Sequence, residues 1–231
     1  MRKILGLDFD IRDIHVYFIL ISAPLLLSIY RYHFYAGSAD IDYFFGIPED
    51  QAKIIVQFIF FFFLTFFLPV LYIKIFMKEA LSSFGMGIGE IKTGLKTLLL
   101  IPLLILPLIY IASRFPDVRE EYPLAKSLLE DRTGLLIYEA FYVIFYYFAW
   151  EFYFRGFVLF GLRKRFGDIN AILIQTISSC LIHIGKPEGE ILGSIIVGII
   201  FGIIALKTRS FWYVFLLHAA IGVFTDLFII F

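Results

Sequence analysis

LLIYEAFYVIFYYFAWEFYFRGFVLFGL, residues 135–162, carries three charges in an otherwise apolar and aromatic run: Glu139, Glu151 and Arg155. A helix needs roughly 20 apolar residues to cross a bilayer, so this stretch reads as a membrane span. Glu151 and Arg155 sit four residues apart within it, in Trp150-Glu151-Phe152-Tyr153-Phe154-Arg155-Gly156. An ionisable group at the centre of a span costs about 3 kcal/mol or more to insert, and such groups usually face a protein interior and mark function. The i, i+4 spacing puts both on one helix face, where they can pair.

The rest of the chain agrees with a membrane setting. It has 231 residues, 61% of them hydrophobic, 19% aromatic and 17% charged, with a mean hydropathy of +0.89. The expected fold is all-α, a polytopic transmembrane helix bundle of about seven spans (six to eight). They fall near 14–31, 54–76, 95–113, 135–162, 169–185, 190–207 and 210–230. Zero net charge offers no basic field for nucleic acid. The single cysteine, Cys180, excludes an internal disulfide. Asp8, Asp10 and Asp13 follow Arg2 and Lys3, which is not a signal-peptide pattern. The partners expected are membrane lipids and a peptide or protein substrate, with no cofactor. Phe60–Phe63 is read as lipid-facing surface, and the polar fifth span, with Gln175, Thr176, Ser178, Ser179 and His183, as interior to the bundle. Gly193, Ser194, Gly198 and Gly202 are read as a close-packing face.

Twelve of the 20 Lys and Arg residues fall on one side if the N-terminus is cytoplasmic: Arg2, Lys3, Arg12, Lys74, Lys78, Lys92, Lys96, Arg163, Lys164, Arg165, Lys207 and Arg209. The positive-inside bias therefore favours that orientation, in what is expected to be the cell membrane. Counting 1.5 Å per residue from the cytoplasmic ends puts Arg155 and His218 about 12 Å deep, Glu151 about 18 Å, His183 about 22 Å and Asp226 about 24 Å. Ionisable groups of three spans thus share one slab of the membrane, although depth leaves their lateral positions open.

A carboxylate, two imidazoles and a guanidinium suit hydrolysis. A Glu can take a proton from water, a neutral His can share that water, a second His can donate to a developing oxyanion, and an Arg can hold the Glu. Each residue also has a structural reading. The Glu–Arg pair can be helix glue, and His183, beside Gly185-Lys186-Pro187, can be a helix-end residue. Asp226 and Glu139 can lie near an interface. Glu151, His183 and His218 form an alternative metal set, ranked below metal-free acid–base chemistry because the three come from separate helices with no local HExxH pair.

Trp150-Glu151-xxx-Arg155-Gly156, Ser179-Cys180-Leu181-Ile182-His183 and His218 together resemble the CAAX protease and bacteriocin-processing (CPBP, or Abi) family of intramembrane endopeptidases. The resemblance covers residues 135–231 as a CPBP-like catalytic core. Residues 1–134 are N-terminal transmembrane helices without family signal, within one integral membrane domain. The family pattern is EExxxR, FxxxH and HxxxN/D. By position it implies catalytic roles for Glu151, Arg155, His183 and His218. Glu151 is the expected general base helped by His183, Arg155 orients Glu151, and His218 supports the oxyanion. Three positions depart from the pattern: Trp150 stands for the first Glu, Ser179 for the Phe, and Gly222 for the Asn or Asp. Asp226 is a candidate to compensate for Gly222. Lys186 either binds a substrate carboxylate or faces lipid headgroups. The function implied is an intramembrane endopeptidase acting on membrane-associated peptides or proteins. The alternative is a catalytically reduced scaffold or bacteriocin-immunity protein binding peptide or lipid in the same cavity. A transporter is a third reading, disfavoured by the lack of an inverted repeat.

Overall fold

A computed structural model describes residues 2–4, 6–35 and 46–231, with Arg2 and Ile4 described by backbone alone. The side chain of Arg2, counted above with the cytoplasmic set, lies outside the described residues. A short antiparallel hairpin, β1 (Arg2–Ile4) and β2 (Leu7–Phe9), precedes the helices. They are α1 (Ile14–His33), α2 (Glu49–Met77), α3 (Ile91–Ala112), the short α4 (Pro116–Glu121), α5 (Leu135–Leu181), α6 (Glu188–Thr208) and α7 (Trp212–Ile230). All but α4 are long and apolar enough to cross a membrane.

The fourth expected span and most of the fifth lie in α5, which ends at Leu181, four residues short of the expected end of the fifth. Gly167 interrupts the helix with φ 78° and ψ 169°, a region open essentially to glycine alone. Arg163 bridges the interruption, its Nε 2.9 Å and Nη2 3.2 Å from the Asp168 carboxylate. The arm after the break, 168–181, is about 21 Å long at 1.5 Å per residue, short of a full crossing. An all-α bundle of about seven spans therefore appears as six long helices, one of them broken.

The first arm of α5 is the axis of the fold. Every residue of Phe152–Val158 is buried, Arg155 included. Gly156 sits where a Cβ would come 2.9 Å from the Phe84 carbonyl oxygen, so that loop can rest on the helix backbone. Among the described residues a large hydrophobic cluster runs from Ile19 in α1 to Ile230 in α7, and a small one gathers Ile47, Ala52 and Ile55. Aromatic residues dominate the large cluster near the middle of the fold, with Phe61 of α2 against Tyr30, Tyr146 and Trp150. Phe61 is fully buried while Phe60 and Phe63 are exposed. This corrects the reading of 60–63 as uniformly lipid-facing, because 3.6 residues per turn must send one of four consecutive side chains inward.

The second arm of α5 turns Gln175, Thr176 and Ser179 inward and leaves Ile169, Ile177 and Leu181 exposed. It packs on α6 at Gly198 and Gly202, whose missing side chains make room for Thr176 and for Ile172 and Gln175. The Gln175 amide donates 2.9 Å to the Gly198 carbonyl. Helix α3 buries little beyond Gly94 and Ile109 and presents the rest of its apolar surface outward.

Candidate active site

Trp150 and Glu151 lie between two tracts of π-helix, Tyr142–Tyr147 and Phe152–Val158. Widened turns of this kind recur at functional sites, where they re-aim side chains that a regular helix would direct elsewhere. Glu151 is fully buried and Arg155 is 2% exposed. Arg155 Nη1 donates 2.9 Å to Glu151 Oε1, and the same oxygen lies 2.6 Å from His218 Nδ1. A carboxylate only accepts, so His218 carries its proton on Nδ1 and turns Nε2 away from the pair. Glu151 Oε2 and Arg155 Nε are buried without a hydrogen-bond partner among the described residues.

His183 follows the end of the second arm of α5. Its Nδ1 lies 2.7 Å from the Ser179 carbonyl oxygen, again an acceptor only, so this ring too is protonated on Nδ1 and offers Nε2 elsewhere. Ser179 thus serves through its backbone, while its hydroxyl donates to Thr176.

Trp150 stands between the two imidazoles. Its ring lies edge-on to His183 at 5.2 Å and to His218 at 5.8 Å. The position that the resemblance reserves for a carboxylate therefore faces both histidines, and an indole fills it. Tyr147 packs on His218 at 4.7 Å between ring centroids. A Cβ on Gly222 would run into the Tyr147 ring and hydroxyl, so glycine here makes room for a phenol from α5.

The two histidines meet at one cavity of about 830 Å³. Trp150, Arg155, His183, Glu190, His218 and Gly222 reach it, with Leu108 of α3 among its apolar walls. Glu151 does not line it.

Two residues that the sequence did not single out complete the polar set. Glu190, in the first turn of α6, accepts from the Tyr122 hydroxyl at 2.8 Å, and its Oε1 lies 3.9 Å from His183 Nε2. Burial, together with the adjacent Glu190 carboxylate, pushes the Tyr122 phenol well above its usual range, so Tyr122 stays a donor. An acid in the first turn of a helix has an ordinary explanation in the helix dipole, and that masked Glu190. Lys186 pairs with Glu121 and lies 4.8 Å above the Tyr122 ring. Burial works against its charge, but Glu190 and Glu121 outweigh it and hold its pKa above the ordinary value.

Asp226 is placed elsewhere. It is fully buried, and neither of its carboxylate oxygens has a hydrogen-bond partner among the described residues, so it makes no bond to His218. Two helical turns separate it from the histidine, about 12 Å along the axis. Among the described residues no three His, Cys, Asp or Glu side chains are gathered as metal ligands, so Glu151, His183 and His218 do not form the alternative metal set.

Residues 132–224, under half of the chain, match the family model described as Type II CAAX prenyl endopeptidase Rce1-like. No curated protein and no solved structure matches the chain. The matched segment supplies Glu151, Arg155, His183, Glu190 and His218. This integral membrane protein thus carries its candidate site in a segment similar to the Rce1-like type II CAAX prenyl endopeptidases, a protease family.

Proposed function

We propose that the protein is an intramembrane endopeptidase that hydrolyses peptide bonds of membrane-associated peptides or proteins by acid–base activation of water. One observation carries this reading. Two imidazoles, one just past the end of α5 and one on α7, each commit Nδ1 to a protein acceptor and face the same cavity, leaving both Nε2 atoms for substrate and water. Glu151 acts through His218. Its carboxylate fixes the ring with Nε2 turned toward the cavity, and once the ring has taken up a second proton Nε2–H donates to the developing oxyanion. Arg155 is a positioning residue that holds the Glu151 carboxylate against His218. His183 shares the attacking water. The cavity's apolar walls suit a substrate that arrives from the bilayer, and the N-terminus is assigned to the cytoplasm.

The test is cleavage of a fluorogenic peptide bearing a farnesylated Cys four residues from its C-terminus, by the full chain in detergent micelles. Unprenylated membrane peptides are run beside it. His183→Ala and His218→Ala are each expected to lose at least about 10²-fold in kcat. A wild type that cleaves none of these peptides refutes the endopeptidase reading and favours a scaffold or immunity protein.

A further inference from the structure

The endopeptidase reading needs a carboxylate that can meet water, and Glu151 is sealed away from the cavity. Its oxygens are buried, one of them shared by Arg155 and His218. Trp150 occupies the position beside the two imidazoles. A different carboxylate reaches the same place from α6. Glu190 lines the cavity together with His183, and its Oε1 is 3.9 Å from His183 Nε2. His183 has its proton on Nδ1, so two lone-pair-bearing atoms face each other across that gap. Acceptors repel unless a donor lies between them. A water about 2.8 Å from each, donating one hydrogen to each, bridges acceptors separated by about 4 Å.

We propose that Glu190 is the general base of this site, taking its proton from a water held between Glu190 Oε1 and His183 Nε2. This rests on the endopeptidase reading and assigns the catalytic carboxylate within it. In the first step a water O–H bond breaks and its proton passes to Glu190. The oxygen forms a bond to the scissile carbonyl carbon, and the C=O π pair moves onto the oxygen, which accepts from His218 Nε2–H. In the second step the carbonyl reforms and the C–N bond breaks. Its electron pair stays on nitrogen, which takes the proton back from Glu190. One water is consumed, an acid and an amine are released, and nothing is oxidised. Tyr122 is a positioning residue, since its 2.8 Å hydrogen bond holds the Glu190 carboxylate toward His183.

The experiment measures kcat and KM of wild type, Glu190→Gln and Glu151→Gln on the farnesylated fluorogenic peptide. Glu190→Gln keeps an acceptor for Tyr122 and is expected to lower kcat about 10³-fold with KM within about twofold. Wild-type kcat in Glu190→Gln overturns the inference and leaves the endopeptidase reading standing. A wild type without cleavage overturns that reading, and the inference falls with it. A second measurement needs no variant. Dicyclohexylcarbodiimide is added to the wild-type protein and the modified carboxyl is located by mass spectrometry. Labelling of Glu190 in step with loss of activity is expected. Full activity after Glu190 is labelled overturns the proposal.

Discussion

Replacing Arg155 by Met tests whether the buried pair is held in the protein interior or behaves as a solvated one. Both side chains are almost wholly out of contact with solvent, 0% exposed for Glu151 and 3% for Arg155. Met keeps most of the side-chain volume and its place near the Phe201 ring, 5.5 Å from the guanidinium carbon. Among the described residues it leaves the Glu151 carboxylate with His218 as its one remaining donor. Removing one partner of a buried pair costs about 3–5 kcal/mol, against about 0–1 kcal/mol for an exposed pair. Glu151→Gln strands the guanidinium in the same way. The double variant Glu151→Gln/Arg155→Met carries neither charge and is expected to be less destabilised than either single variant, so the coupling in the cycle exceeds the cost of one single variant, about 3 kcal/mol or more. Unfolding in mixed micelles by added dodecyl sulfate reads these values from tryptophan fluorescence, since Trp150 adjoins Glu151. An Arg155→Met protein within about 1 kcal/mol of wild type would refute the reasoning, because the carboxylate would then have water available to it.

Three further outcomes follow from the same geometry. Glu151→Gln replaces a charge-assisted bond to His218 with a neutral one, worth about 1.5–3 kcal/mol, so kcat on the farnesylated peptide should fall about 10- to 100-fold with KM unchanged. An unchanged kcat removes Glu151 from the site. Gly167→Ala forces a side chain into a glycine-only backbone region and should cost about 1–3 kcal/mol in the same unfolding assay; no loss would mean that the break in α5 can move. In a Cys180→Ser background, an impermeant maleimide should label Lys164→Cys from the cytoplasmic face and Glu120→Cys from the other. The reverse pattern overturns the N-in orientation.

Much of the architecture was legible because membrane insertion is governed by local composition. Twenty apolar residues must hydrogen-bond their own backbone, whatever the neighbours are, so spans read directly from the chain. The Glu151–Arg155 pair was equally legible, since i, i+4 proximity is a property of one helix. Phe61 was not, because which phenylalanine of a run turns inward depends on where the other helices pack. Gly167 was passed over for a related reason. A glycine in a polar linker looks unremarkable until its backbone angles are known, and it makes one broken helix of two expected spans.

The site divides along the same line. Composition and spacing determined that this is an all-helical membrane protein with a paired Glu–Arg in one span and a histidine, His218, in another, whereas His183, expected in a span of its own, follows the end of the broken helix that holds the pair. Tertiary structure decided what those groups meet. It gave His218 to Glu151, gave His183 to its own helix backbone, and set Trp150 between the two rings. It also left Asp226 buried without a hydrogen bond to His218, and it brought Glu190 from the start of another helix to within 3.9 Å of His183. The physical reason is that charge cost and helix periodicity act over a few residues of one chain segment. Lateral position within the bilayer is set by packing among helices far apart in sequence, through small residues such as Gly198, Gly202 and Gly222.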